Sequence, residues 1–270
     1  MLGFFDSGFG GLSVVRKIRE ALPRHSFVYL GDNARTPYGS HSLDVIHRYT
    51  LEGIIELFNR GAELIVVVCN TSSSVALRKI QQEYLPNHHP DRRVIGTIIP
   101  TAEEVSSLTR SKVIGILATE ATVSSLAYPQ EILKIDPEVR VYQQACPLLV
   151  PIVESGDLHA AAVPASRYVE GLLGQDPQMD ATLLGCTHYA LIEHIFRELI
   201  PPEIRIVTQG EIVARKLVDY LRRHPEMDRR LEKSGGQHFL STECSPRIQT
   251  LATQFFGMPV SIETTRLLSL

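Results

Sequence analysis

The chain has 270 residues, of which 44% are hydrophobic and 21% charged, so a packed core is expected and disorder is not. Its net charge of −3 at pH 7 argues against a nucleic-acid scaffold, and its longest apolar runs, such as 64–69, are far too short to span a membrane. The four cysteines form no CxxC pair, and without a recognisable export signal they predict free thiols in the reducing cytoplasm.

Strands and helices alternate along the first hundred residues, which is typical of a parallel sheet covered by helices. An apolar strand over 2–5 ends at Asp6, and a glycine-rich loop then leads into a helix over 12–22. The predicted elements that follow are a strand over 26–30, a loop around Pro37-Tyr38-Gly39, a helix from Ser42 to Arg60, a strand over 63–68, a helix to about Tyr84 and a strand over 93–95.

The same alternation begins again near residue 112, which predicts two related halves and an α/β fold class: two pseudo-symmetric domains, each a parallel sheet flanked by helices. The second set of elements comprises strands over 112–117, 139–143, 180–184 and 205–207, helices over 157–173, 190–199 and 211–223, and a charged surface excursion over 225–238. We expect the first domain to contain residues 1–97 and 208–270, and the second to contain residues 98–207.

Polar and thiol side chains gather where the predicted strands end, and ligands of open α/β sheets bind outside the carboxyl ends of the strands. A helix start favours a thiolate, so Cys69 and Cys186, each at a strand-to-helix junction, are expected to have a lowered pKa and to be reactive. The alternative is a buried structural cysteine, which we expect for Cys146 and Cys244.

Three further features of these strand ends have a functional and a plain structural interpretation. His188 suits proton exchange near neutral pH, or it caps a helix; Asp6 belongs to the site, or it is a turn residue. The loop over 8–11 is a weak match to a dinucleotide-binding fingerprint because Ser13 replaces the last glycine, although its helix start can still bind a carboxylate. No metal is expected. Cys186 and His188 could be two ligands of a zinc site, but the sequence has no second close pair to complete it.

In combination, these segments resemble the glutamate racemases, a family of cofactor-independent amino-acid racemases. The matching segments run in order across residues 1–210: Asp6-Ser7-Gly8-Phe9-Gly10-Gly11-Leu12, Gly31-Asp32-Asn33 with Pro37-Tyr38-Gly39, Cys69-Asn70-Thr71, Ala118-Thr119 with Thr122, Cys146-Pro147-Leu148 leading to Glu154, and Leu184-Gly185-Cys186-Thr187-His188-Tyr189. One departure is Thr208-Gln209, where members of the family often have Asp-Ser.

The resemblance implies an active site in the cleft between the domains and interconversion of L- and D-glutamate by two bases, without pyridoxal phosphate, metal or any other cofactor. It also implies a homodimer that supplies D-glutamate for peptidoglycan, and hence for the cell wall and cell shape of a bacterium. Glutamate is the only small-molecule partner implied; no nucleic acid or membrane is.

The resemblance also implies roles for single residues. Cys69 would take the α-proton from D-glutamate with the help of Asp6, and Cys186 would take it from L-glutamate with the help of His188. Glu154 would not touch the substrate but would support the residues on the Cys186 side. The residues that would hold the amino and carboxylate groups of the substrate, together with those four, are Ser7, Pro37, Tyr38, Gly39, Asn70, Thr71, Thr119, Thr122 and Thr187.

Other functions remain open at this point. An aspartate or other amino-acid racemase of the same superfamily is the nearest, and there the second cysteine segment carries Glu in place of His188. A two-lobed amino-acid-binding protein would leave the paired cysteines unexplained. A thiol hydrolase or amidotransferase with a Cys-His pair would use only one of them.

Overall fold

The structure, a computed structural model, describes residues 1–268 and contains two sheets in which all neighbouring strands are parallel. The first sheet consists of β1 (Leu2–Asp6), β2 (Phe27–Gly31), β3 (Leu64–Val67), β4 (Arg93–Gly96), β9 (Gln237–Ser241) and β10 (Ile262–Thr264). The second sheet consists of β5 (Val113–Ala118), β6 (Arg140–Ala145), β7 (Ala181–Gly185) and β8 (Arg205–Val207).

The strand orders confirm the predicted α/β class and the relatedness of the two halves. The first sheet has the order β10-β9-β2-β1-β3-β4 and the second has the order β6-β5-β7-β8, so the segments β2-β1-β3-β4 and β6-β5-β7-β8 are topologically equivalent. The central strands β1 and β5 are buried along their whole length, as expected for parallel sheets with helices on both faces.

Fourteen α-helices within residues 1–268 cover these sheets. They are α1 (Leu12–Ala21), α2 (Leu43–Asn59), α3 (Asn70–Val75), α4 (Leu77–Lys79), α5 (Leu85–His88), α6 (Ile98–Leu108), α7 (Glu120–Ser124), α8 (Ala127–Ile135), α9 (Leu149–Ser155), α10 (Ala162–Leu173), α11 (Glu193–Leu199), α12 (Gly210–Arg223), α13 (Pro225–Arg230) and α14 (Pro246–Phe256). In the described part of the chain, none of them is long and apolar enough to cross a membrane.

The chain passes between the two sheets at two places. It leaves the first sheet after β4 through α6, and it returns after β8 through α12, which packs against both α1 and α6. These passages lie where the sequence places the domain crossings, but the exact division at residues 97/98 and 207/208 stays a prediction.

Two stretches differ from the sequence-based expectation. The single helix expected after Cys69 is divided into α3, α4, a wider turn over Ile80–Tyr84 and α5. The Ser73 and Ser74 hydroxyls bond backbone carbonyl groups, and side chains of this kind compete with a regular helix. The expected surface excursion over 225–238 instead forms α13 and begins β9, because its end adds to the free edge of β2.

Candidate active site

One cavity of about 70 Å³ lies at the carboxyl ends of strands from both sheets. The loops after β1, β2 and β3 supply one part of its wall, and the loops after β5, β6 and β7 supply the other. Eleven of the predicted site residues line it: Ser7, Pro37, Tyr38, Gly39, Cys69, Asn70, Thr71, Thr119, Cys186, Thr187 and His188.

Three predicted residues lie outside this lining but contact it. Asp6 interacts electrostatically with Cys69, Thr122 bonds Thr119, and Glu154 bonds His188. Residues that the sequence did not single out for the site also line the cavity: Ser40, Glu120, Cys146, Pro147, Val150 and Pro151. Cys146 and Pro147 follow a strand end and were therefore identifiable, whereas the apolar Val150 and Pro151 carry no such signal.

Cys69 follows β3 and occupies the position before the first residue of α3. Its Sγ atom accepts from the Ser72 backbone N–H at 3.5 Å and lies 3.3 Å from the Ser7 hydroxyl. Burial, and then the nearby Asp6 carboxyl, nevertheless raise the pKa of the Cys69 thiol to about 11. The expectation of a lowered pKa at this helix start is therefore wrong for Cys69, because desolvation outweighs the favourable N–H group. At neutral pH the thiol is protonated.

Asp6 is fully buried at the end of β1. Its Oδ2 atom accepts from the Gly11 backbone N–H at 2.8 Å and lies 3.4 Å from the Tyr29 hydroxyl, which donates to the Gly8 carbonyl at 2.6 Å. Burial raises the pKa of the Asp6 carboxyl above its ordinary range, although His188 and the Gly11 N–H oppose the rise.

The start of α1 does not form the anion site that the glycine-rich loop suggested. The Gly11 N–H is bound by Asp6, and the next two N–H groups, of Leu12 and Ser13, donate to carbonyl groups of the same loop. Gly10 instead allows close packing between the domains, since a Cβ atom added there would lie 2.5 Å from Thr187 Oγ1. The acceptor at this helix start is the protein's own Asp6 side chain.

Cys186 follows β7 and belongs to a buried chain of three side chains. Its Sγ atom is 3.8 Å from Nδ1 of His188, and the Nε2 atom of His188 is 2.5 Å from Oε1 of Glu154. Burial lowers the pKa of His188, but the hydrogen bonds to Cys186 and Glu154 outweigh it and raise that pKa well above 6.5. The direction of this shift favours the protonated ring, which can direct one N–H toward the Cys186 sulfur and one toward the Glu154 carboxyl.

Threonine hydroxyl groups connect the two domains inside the cavity. The Thr71 Oγ1 atom is 2.9 Å from Thr119 Oγ1, which donates to Thr122 Oγ1 at 3.0 Å. Gly39 packs on the same threonine, since a Cβ atom added there would be 2.8 Å from the Thr119 Cβ. Tyr38 donates its hydroxyl to Asp32, which holds the Pro37-Tyr38-Gly39 loop on the first domain. These neutral hydroxyl groups can bind carboxylate oxygens.

The other two cysteines differ from each other. Cys146 is buried beside the cavity and donates from Sγ to the Gln144 carbonyl at 3.5 Å, while burial raises the pKa of its thiol to about 12. Cys244 is exposed, so the expectation of a buried structural cysteine is wrong there, and it lies apart from the cavity lining. Within residues 1–268, no group of three or more His, Cys, Asp or Glu side chains is arranged to hold a metal ion.

Comparison with known proteins agrees with this geometry. The family model described as Asp/Glu/hydantoin racemase matches residues 7–217. A glutamate racemase from Ruegeria pomeroyi is 37% identical over 270 residues, which cover 96% of this chain and 98% of that protein.

Solved structures of the same kind are similar over nearly the whole chain. A glutamate racemase isoform from Bacillus anthracis superposes with a TM-score of 0.85 at 28% identity, covering 99% of this chain and 97% of that one. The glutamate racemase of Francisella tularensis in complex with D-glutamate also has a TM-score of 0.85, at 26% identity, covering 98% of this chain and 97% of that one.

Proposed function

Because the chain belongs to the Asp/Glu/hydantoin racemase family and is therefore an amino-acid racemase, an isomerase, we propose that it interconverts L- and D-glutamate by a two-base cysteine mechanism. One observation carries the proposal: Cys69 and Cys186 line the same cavity from different sheets. Inverting a stereocentre requires one group to remove the α-proton from one face and another to deliver a proton to the opposite face.

The two thiols have different neighbours, and these support different roles. Cys69 has a raised pKa and lies beside a buried carboxyl, whereas the Cys186 sulfur lies 3.8 Å from Nδ1 of His188. In one direction Cys186 is the base that removes the α-proton from L-glutamate, and the Cys69 thiol donates its proton to the other face. The product is D-glutamate, and the thiolate is now Cys69. The reverse reaction begins from that state.

Neutral donors must hold the substrate, because no lysine or arginine is among the described residues that line the cavity. Ser7, Asn70 and the three threonines at 71, 119 and 187 offer hydroxyl and amide groups to the amino and carboxylate groups of glutamate. The α-proton is a very weak acid, so fixed orientation and exclusion of water must supply much of the rate enhancement. The Francisella relative in complex with D-glutamate supports a ligand of this size.

We further propose that the D-glutamate is used for bacterial peptidoglycan, hence for cell wall and cell shape, and that the enzyme acts in the cytoplasm, where its free thiols stay reduced. The homodimer implied by the sequence resemblance remains a prediction.

The test is separate incubation of the purified protein with L-glutamate, D-glutamate, L-aspartate and L-glutamine in D₂O. We expect the circular dichroism of both glutamate enantiomers to decay to zero while NMR reports replacement of the α-hydrogen by deuterium. Racemisation of aspartate alone would contradict the substrate assignment, and binding without deuterium incorporation would identify a non-catalytic binder. Release of ammonia from glutamine would identify a hydrolase.

Single cysteine variants test the mechanism in the same assay. Cys69→Ser and Cys186→Ser should each lose several orders of magnitude in kcat, because a serine hydroxyl is far too weak an acid to replace a thiol. Cys244→Ser is the matched control, since Cys244 is exposed, and it should keep full activity. Wild-type activity in either of the first two variants would remove that cysteine from the mechanism.

A further inference from the structure

A closed ring of buried hydrogen bonds joins Asn70 to the second domain. The Nδ2 atom of Asn70 is 2.7 Å from the Tyr128 hydroxyl, and its Oδ1 atom is 3.3 Å from the Thr97 hydroxyl. The Tyr128 hydroxyl is 3.1 Å from Thr101 Oγ1, which is 2.7 Å from the Thr97 carbonyl oxygen. All four side chains are at most 2% exposed. We call these four residues the Asn70 ring.

The hydrogens of the Asn70 ring can be assigned because each hydroxyl has only one to donate. Thr101 donates to the Thr97 carbonyl, so the hydrogen between Thr101 and Tyr128 must come from Tyr128. Tyr128 then has only lone pairs left for Asn70, and the group facing it must be the amide Nδ2. The same orientation leaves Oδ1 to accept from Thr97. One Nδ2–H of Asn70 is not used by the ring.

The position of the Asn70 ring gives it a role beyond packing. Asn70 begins α3 directly after Cys69 and lines the cavity, whereas Tyr128 lies on α8 and packs with the second sheet. Thr97 and Thr101 lie where the chain crosses between the domains. The ring therefore ties the orientation of a cavity amide to the relative placement of the two domains.

We propose that Tyr128 is a positioning residue for the racemase reaction: it holds the Asn70 carboxamide so that its remaining N–H binds a carboxylate oxygen of the substrate. The proposal rests on the proposed function and extends it to a side chain that does not line the cavity. Loss of the Tyr128 hydroxyl would leave the Asn70 amide held in the ring by Thr97 alone and one of its buried N–H groups without a partner.

The kinetic test is a double-mutant cycle. Tyr128→Phe keeps the ring packing and removes only the oxygen, and we expect KM for both glutamate enantiomers to rise about tenfold with kcat changed less, since one hydrogen bond is involved. In an Asn70→Ala background, Tyr128→Phe should add nothing. Tyr142→Phe, which removes a hydroxyl bonded to Asp176 far from the cavity, is the matched control and should leave KM unchanged. If Tyr128→Phe does not fold, Thr101→Val takes its place in the cycle, because it removes the hydroxyl that accepts from Tyr128.

Independent losses in the cycle, or an unchanged KM in Tyr128→Phe, would overturn the proposal. A measurement without substrate separates it from the proposed function: the chain has only four asparagines, so ¹⁵N-asparagine labelling resolves their side-chain amides, and Asn70→Asp identifies one of them. Tyr128→Phe should shift that amide pair and speed its hydrogen exchange, while Tyr142→Phe should not. If glutamate is not racemised but the amide responds, the substrate is wrong and the Asn70 ring stands; if the amide does not respond, the ring is wrong whatever the substrate.

Discussion

Gly10 is the point at which the loop after β1 comes closest to the second domain, and Gly10→Ala should therefore disable the enzyme without unfolding it. A Cβ atom at this position would lie 2.5 Å from Thr187 Oγ1, 2.7 Å from His188 Nδ1 and 2.9 Å from the His188 backbone nitrogen, where ordinary contact begins at 3.4 Å. The Thr187 side chain can rotate away, but the backbone nitrogen cannot. The segment that follows Cys186 must therefore move away from the first domain by about 0.5 Å or more.

The size of the effect follows from what this segment carries. Thr187 and His188 directly follow one of the two proposed bases, and a displacement of about 1 Å in such a site costs about 100-fold in rate. Overpacking of this kind also costs about 1–3 kcal/mol of the free energy of unfolding, which lowers Tm by only several degrees in a protein of this size. Since the required displacement is about 0.5 Å or more, we expect a loss of about 10- to 100-fold in kcat with a folded protein at 25 °C.

Decay of circular dichroism with L- and D-glutamate gives kcat, and a thermal melt gives Tm. Gly236→Ala is the matched control, because its Cβ would meet only ordinary contacts, the nearest being Ser26 Oγ at 3.5 Å. It should keep wild-type kcat. A Gly10→Ala enzyme within threefold of wild type would refute the view that this glycine sets the distance between the domains at the site.

Two further predictions concern the charges around the thiols. Because the pKa of Cys69 is about 11, iodoacetamide should alkylate it at pH 8 about 100-fold more slowly than a thiol of pKa 9.0, and the rate should keep rising up to about pH 11. Mass spectrometry of the peptide measures this rate. Asp6→Asn removes a neighbour that raises this pKa and should move the rate profile to lower pH, whereas a wild-type midpoint near pH 9 would disprove the shift. Glu154→Gln removes a group that raises the pKa of His188, so His188 should lose its proton at a lower pH. The alkaline limb of the kcat/KM profile should therefore move to lower pH. Equal kcat losses in both directions and an unmoved limb would argue that Glu154 only fills space.

The sequence could predict which candidate residues share a cavity, because parallel strands place their carboxyl ends together. That rule alone predicts that Cys69, Thr119 and Cys186, which follow three different strands and are far apart in the chain, line one cavity. Residue type and position at a strand end were sufficient for this step.

The sequence could not predict the electrostatics, which depend on burial and on partners distant in the chain. A helix start suggested a lowered pKa for Cys69, but burial and the Asp6 carboxyl raise that pKa. Glu154 and Tyr128 reach the site through His188 and Asn70, respectively, and those distances are properties of the packed structure. The strand β9 was missed because its register is set by the edge of β2 and not by its own pattern.

The first sheet is discontinuous in the chain, and this dictates the order in which the protein can be completed during its synthesis. Strands β1 to β4 leave the ribosome first, the whole second sheet follows, and β9 and β10 emerge last. Until then the outer edge of β2 is unpaired, which is the kind of surface on which growing chains aggregate. Cys69 and Cys186 are therefore synthesised before β9 and β10, which lie in about the last eighth of the chain, and a nascent molecule keeps an unpaired sheet edge until that segment is made.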